Sequence, residues 1–163
     1  MIDFKHLYET YAGDVYRFSL WLTGEGDEAE DITSETFVRA WSRRDDIRTE
    51  TLKAYLFAIA RNVFLQGRRK RGRQTALEEV HPDPAPGPDR LLESRMELER
   101  VREVLRGLPE EDRAAFVMRA EHGLPYEEIA RVLEMSLSSA KVKVHRIRKK
   151  LLIDRIEREG SRP

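Results

Sequence analysis

The segment PYEEIARVLEMSLSSAKVKVHRIRKKL, Pro125 to Leu151, decides the fold. YEEIARVL reads as a short helix opened by Pro125, whose missing amide costs nothing at a helix start. Glu134, Met135 and Ser136 make a tight turn, and Ser136 is a good N-cap for a longer helix running to about Ile153. At 100° per residue, Ala140, Val144, Ile147 and Leu151 fall within a narrow arc and must face a core. Val142, His145, Arg146 and Lys149 lie opposite them, flanked by Lys141, Lys143, Arg148 and Lys150. A short helix, a turn and a long basic helix have helix-turn-helix geometry. Such a face can lie in a major groove, where Arg and Lys donate to guanine O6 and N7 and Val142 can meet a thymine methyl. A merely solvated basic helix fits the charge pattern taken alone, but it gives no reason for the turn.

Upstream, PEEDRAAFVMRAEH places Pro109, Glu110, Glu111 and Asp112 at a helix start, where the dipole favours acids, and Gly123 closes that helix. Before it, Leu91, Leu98, Val101, Leu105 and Leu108 form another helical stripe. Residues 74–90, QTALEEVHPDPAPGPDR, hold four of the seven prolines and read as an extended acidic linker. The N-terminal half repeats the helical theme. Phe4, Leu7, Tyr8, Tyr11, Val15, Phe18 and Leu22 predict a helix over 3–22, ended by Gly24 and Gly26. Ala29, Ile32, Thr33, Thr36, Phe37, Ala40 and Trp41 predict a second, with Glu28, Asp31 and Glu35 on its outer side. SRRDDIRTET reads as a loop. Leu52, Tyr55, Leu56, Ile59, Ala60, Val63 and Phe64 predict a third helix that runs into RRKRGR. Period-two alternation is absent, so the expected class is all-α: two small helical domains, 1–73 and 91–163, joined by the linker.

Composition narrows the function. The 163 residues carry 30 basic and 30 acidic side chains and no cysteine. Disulfides, thiolate metal sites and cysteine nucleophiles are therefore excluded. The four histidines are scattered without an i, i+4 pair, and no phosphate-cradling or hydrolase motif occurs. Carboxylates are abundant but sit on helical faces, in salt-bridge patterning rather than acid–base pairs. Neither a catalytic residue, a metal nor a cofactor is expected, nor an enzyme. No apolar run approaches a membrane span and the N-terminus lacks a signal-peptide core, so an intracellular protein without membrane insertion is expected.

The charges cluster. GEGDEAEDITSE, Gly24 to Glu35, is acidic without a basic residue, whereas RNVFLQGRRKRGR, Arg61 to Arg73, is basic without an acid. Alternating patches of this kind suit a chain that touches both a protein and a polyanion. EDITSETFVRAW resembles the acidic helix in region 2 of bacterial sigma factors. LPEEDRAAFVMRAEHGLPYEEIARVLEMSLSSAKVKVHRIRKKL resembles their region 4. The two motifs, in that order and separated by a short linker, make the chain similar to the extracytoplasmic-function (ECF) subfamily over nearly its whole length.

The resemblance implies roles for individual residues. Asp27, Glu30, Asp31, Glu35 and Phe37 would dock on the clamp coiled coil of the RNA polymerase β′ subunit, with Trp41 as a buried anchor. The Ser42–Thr51 loop, with Arg43 and Arg44, would capture a flipped-out base of the −10 promoter element. Arg61, Asn62, Arg68 and Arg69 would hold DNA near the melting point. Arg119, Ser138, Ser139, Lys141, Val142, Lys143, His145, Arg146 and Arg148 would contact the −35 element. The β flap and an anti-sigma factor are further implied partners, the linker (Glu78, Glu79, Asp83, Asp89) would run through a basic polymerase channel, and the implied location is the bacterial cytoplasm.

Several residues depart from the family pattern. Ser34 stands in place of Gln, and Gln66 in place of Asp. Glu134 replaces the turn glycine, so the turn must either avoid the left-handed region or strain locally. Ser139, Ala140 and Val142 replace the commoner Thr, Val and Ser, which takes a hydroxyl off the reading face. The competing reading is a stand-alone helix-turn-helix regulator, which needs a dimer stripe or ligand pocket and has no use for an acidic docking helix.

Overall fold

The computed structural model describes residues 3–46, 51–72 and 92–160. The expected linker, Leu91, and residues 47–50 of the expected loop lie outside the described residues. The chain divides into two compact units, each of them helical, and no strand occurs among the described residues.

The first unit packs three helices against one another: α1 (Phe4–Thr23), α2 (Gly26–Ser42) and α3 (Leu52–Gly72). The 3.6-residue stripes meet in a core that includes Leu7, Val15, Phe18, Ile32, Leu56 and Phe57, all nearly or fully buried. Phe18 and Phe57 stack with centroids 4.5 Å apart, an arrangement worth about 1 kcal/mol beyond the area it buries. Gly24 ends α1 in the left-handed conformation, φ 73°, with its amide on Leu20 O at 2.8 Å. Gly26 does not help to end α1, as the sequence suggests, but is the buried first residue of α2. The cap is Glu25, whose carboxylate accepts from the amides of Asp27 (3.2 Å) and Glu28 (3.0 Å). This carboxylate satisfies two of the four orphan donors of the helix start. Along α2 the buried Thr33 and Thr36 return their hydroxyls to Ala29 O (2.7 Å) and Ile32 O (2.6 Å), so polar residues enter the core without unpaired donors. After α2 a short 3₁₀ turn spans Arg44–Asp46.

The second unit holds α4 (Leu92–Arg106), α5 (Glu110–Ala120), α6 (Tyr126–Leu133) and α7 (Leu137–Gly160). Its core is built from Leu105, Met118, Ile129, Leu133, Val144 and Ile147, with smaller residues between them. The α4 stripe is only partly realised: Leu105 is buried, Val101 and Leu108 are half-buried, and Leu98 is exposed. Helix α7 continues well past Ile153, where the apolar arc stops. Its last turns are laced by i, i+4 ion pairs, Arg158–Asp154 at 3.0 Å and Arg155–Glu159 at 3.2 Å, which add helix stability there, and Arg155 also lies 3.7 Å from Glu97 of α4. No helix among the described residues is long and apolar enough to cross a membrane.

Candidate nucleic-acid interface

In the second unit, α6 and α7 are joined by Glu134, Met135 and Ser136. Glu134 takes φ 53°, ψ 48°, a left-handed conformation in which a Cβ crowds the following carbonyl. Of the two outcomes open to a turn without glycine, local strain is the one realised. Ser136 caps α7 as expected: its Oγ accepts the Ser139 amide at 3.1 Å and donates to Ser139 Oγ at 2.9 Å. The Ser139 hydroxyl is therefore engaged in the cap, while Ser138 is exposed.

The azimuth of α7 matches the helical-wheel reading. Ala140, Val144 and Ile147 are buried, and Lys141, Val142, His145, Arg146, Arg148, Lys149 and Lys150 are exposed. None of the lysines and arginines among them makes an ion pair among the described residues, so their charge faces solvent unneutralised. Val142, 44% exposed, sits among them.

Lys143 is different. Expected on the reading face, it is instead held by α5, with Nζ 2.6 Å from Asp112 Oδ1 and 3.5 Å from Glu111 Oε1. The Asp112 hydrogen bond, opposed by partial burial and helped by the charges of Asp112 and Glu111, raises its pKa above the usual lysine value. A lysine bound in this way ties α7 to the start of α5. Its sequence position carried the signal: it lies three residues after Ala140 and four before Ile147, at the edge of the core stripe. Arg119 is half-buried. It stacks over the Tyr126 ring at 4.4 Å and donates to Leu124 O at 3.1 Å, bracing the α5–α6 turn.

In the first unit, Asp27, Glu30 and Asp31 project from α2, exposed and without an ion pair among the described residues. Glu35 is also exposed but bonded to Arg39 Nε at 2.8 Å, and Arg39 reaches on to Gln66 Oε1 of α3 at 2.9 Å. Gln66 thus serves as an acceptor at the departure from the family pattern. Ser34 shares the exposed face. Phe37, expected at this surface, is 1% exposed and packs its ring edge-on against Tyr8 at 5.1 Å. It braces α2 from behind. Trp41, expected as a buried anchor, is only half-buried, with the Phe4 ring edge-on at 5.3 Å and the Arg44 guanidinium 4.6 Å above it.

The largest difference from the sequence reading is Glu28. Instead of facing outward it is buried, 9% exposed, and binds α3. Its Oε2 accepts from Arg71 Nη1 at 3.0 Å and lies 3.6 Å from Arg68 Nη2. The signal was present: Glu28, Ile32 and Thr36 repeat at i, i+4, i+8, which places Glu28 on the inner face. Arg68, expected at DNA, is drawn toward α2 and also lies 4.9 Å over the Phe64 ring. Arg69 and Lys70 point elsewhere, exposed and without an ion pair among the described residues. Arg43 and Asn62 are exposed and Arg61 is half-buried. No cluster of histidine and carboxylate groups among the described residues could hold a metal.

Two surfaces of opposite charge thus stand on separate units: acids on α2 and cations on α7. Residues 7–74 match the family described as sigma-70 region 2, and residues 98–151 match sigma-70, region 4. The ECF RNA polymerase sigma factor SigE of Mycolicibacterium smegmatis is 34% identical over 93% of this chain, which spans 61% of that relative's length. The ECF sigma factor EcfG of Rhodopseudomonas palustris is 32% identical over 82% of this chain and 75% of its own. SigM of Bacillus subtilis is 30% identical over 89% and 90%. Among solved structures, the sigma factor RpoE from Bartonella quintana, in complex with the anti-sigma factor NepR, aligns with a TM-score of 0.74 at 28% identity, over 91% of this chain and 94% of that one.

Proposed function

Because this chain belongs to the ECF group of the sigma-70 family of RNA polymerase sigma factors, we propose that it is a dissociable specificity subunit of core RNA polymerase, directing promoter recognition, DNA melting and transcription initiation. One observation carries this reading: a single chain bears an unneutralised acidic face on α2 and an unneutralised cationic face on α7. A DNA-binding protein that acts alone needs the second and not the first.

In this reading Asp27, Glu30, Asp31 and Glu35 dock on the β′ clamp coiled coil, and the second unit sits at the β flap. Residues 1–73 serve the −10 element, 91–163 the −35 element, and 74–90 connect them along the path of the RNA. Helix α7 enters the major groove, where Arg146 and its neighbours read base edges and the flanking lysines meet phosphates. Arg43, Arg44, Asn62 and Arg69 act where the duplex opens. The chain performs no catalysis; polymerase supplies the chemistry, in the bacterial cytoplasm. An anti-sigma factor holds this chain inactive, a reading supported by the complex in which the similar RpoE was solved. Run-off transcription with purified core polymerase on genomic fragments tests the proposal. Discrete transcripts that need both components are expected, and their absence would refute it.

A further inference from the structure

Glu28 joins the start of α2 to the end of α3 across 43 residues of sequence. Its carboxylate is nearly enclosed, and both arginines that reach it belong to the run Arg68, Arg69, Lys70 and Arg71. Four consecutive cations repel one another, and the i, i+3 pair Arg68 and Arg71 shares one side of the helix. Placing a carboxylate between those two neutralises the repulsion and holds them against α2. Helical spacing then turns Arg69 and Lys70, about 100° and 200° further round, away from α2. Glu28 is anchored in its turn: Glu25 caps its amide at 3.0 Å, and the start of the α2 dipole favours its charge.

Building on the sigma-factor reading, we infer that Glu28 is a positioning residue for promoter opening: it clasps Arg68 and Arg71 so that Arg69 and Lys70 are the cations presented to the DNA backbone. The acids Asp27, Glu30 and Asp31 stand on the outer side of the same two turns of α2. The clasp therefore makes the polymerase-docking face and the basic end of α3 parts of one rigid piece. Docking α2 on polymerase fixes where the phosphate-binding cations point. Arg68 and Arg71 act as struts, and their charge is spent inside the protein.

The test uses the full chain with core polymerase, read by open-complex formation, its salt dependence, core affinity and thermal unfolding. Glu28→Gln is expected to leave core affinity within about twofold, because its buried carboxylate faces α3 and not the exposed acids. Open complexes are expected to fall about tenfold, the factor carried by one charge-assisted hydrogen bond. Two released arginines should also steepen the salt dependence by about one counterion or more, a change that simple destabilisation does not produce. Arg71→Gln, at a side chain 53% exposed, removes one arm without risk to the fold and should give a smaller loss in the same direction. The exchange Glu28→Arg with Arg71→Glu should recover most of the opening. Open complexes unchanged in Arg71→Gln and Glu28→Gln, or losses that follow unfolding and core affinity with no recovery on exchange, would overturn the inference. A parent chain that directs no transcription would overturn both this inference and the sigma-factor reading, whereas a working parent with unaffected variants overturns the clasp alone.

Discussion

Lys143 of α7 lies 2.6 Å from Asp112 of α5, joining the cationic helix to the acid-rich start of its neighbour. This bond adds to the buried stripe of Ala140, Val144 and Ile147 in holding the rotation of α7 about its axis. Its pH dependence follows from the sign of the shift. The folded pKa of Lys143 is raised above 10.5, so the contribution is present in full below the unfolded value and is lost as pH rises through the folded one. Asp112→Asn is expected to lower unit stability by about 1 kcal/mol near neutrality, as for a partly exposed charged hydrogen bond. The gap between parent and variant should close above the raised lysine pKa, where the parent bond is lost. Denaturant titrations at several alkaline pH values measure it, and a gap independent of pH contradicts the assignment.

Glu134→Gly should stabilise the protein. A left-handed non-glycine residue costs about 1–2 kcal/mol, and glycine returns part of that gain through the entropy of its unfolded chain. The net expectation is a gain of about 1 kcal/mol, with a Tm rise of several degrees. A lower Tm would mean that Glu134 makes a compensating interaction in solution.

Charge reversal on α2 separates docking from folding. Glu30→Lys with Asp31→Lys replaces two exposed, unpaired acids, whose individual cost in stability is within about 0.5 kcal/mol. Co-purification with core polymerase should be lost while helical circular dichroism and unfolding stay as in the parent. Retained co-purification would remove α2 from the docking surface.

The cations of α7 should divide by role. Arg146 is exposed on the side of α7 away from the buried arc of Ala140, Val144 and Ile147, so Arg146→Ala should cost roughly 1–3 kcal/mol of discrimination at one or two −35 positions. Lys150→Ala should weaken all sites alike and flatten the salt dependence by about one counterion. Val142→Ser restores a hydroxyl to the exposed face and should change which −35 sequences are preferred more than how tightly they bind. Binding of the holoenzyme to a promoter library reads all three. Equal, sequence-independent losses would make α7 a backbone clamp.

Most of the helices were legible because they carry a 3.6-residue stripe, and the inward arc of Ala140, Val144 and Ile147 was legible for the same reason. Residues whose neighbours lie far away in sequence were not. Glu28 sits in a run whose charged residues are all acidic, so sequence proximity groups it with Asp27 and Glu30, yet its partners Arg68 and Arg71 belong to another helix. Lys143 looked like one more lysine of a basic helix until Asp112, 31 residues earlier, was placed beside it. Phe37 follows the exposed acids of α2 in the chain, but helical rotation buries it behind them. The last turns of α7 escaped because they are laced by ion pairs rather than marked by apolar spacing.

On the proposed reading, this chain recognises promoters only as part of a polymerase. A mobility-shift measurement tests it most directly, using a promoter fragment mapped from run-off transcripts with the protein alone, core polymerase alone, and both together. A sequence-specific, heparin-resistant shift is expected with both components and none with either alone. A specific shift of the same fragment by the protein alone, unchanged when core polymerase is added, would contradict it.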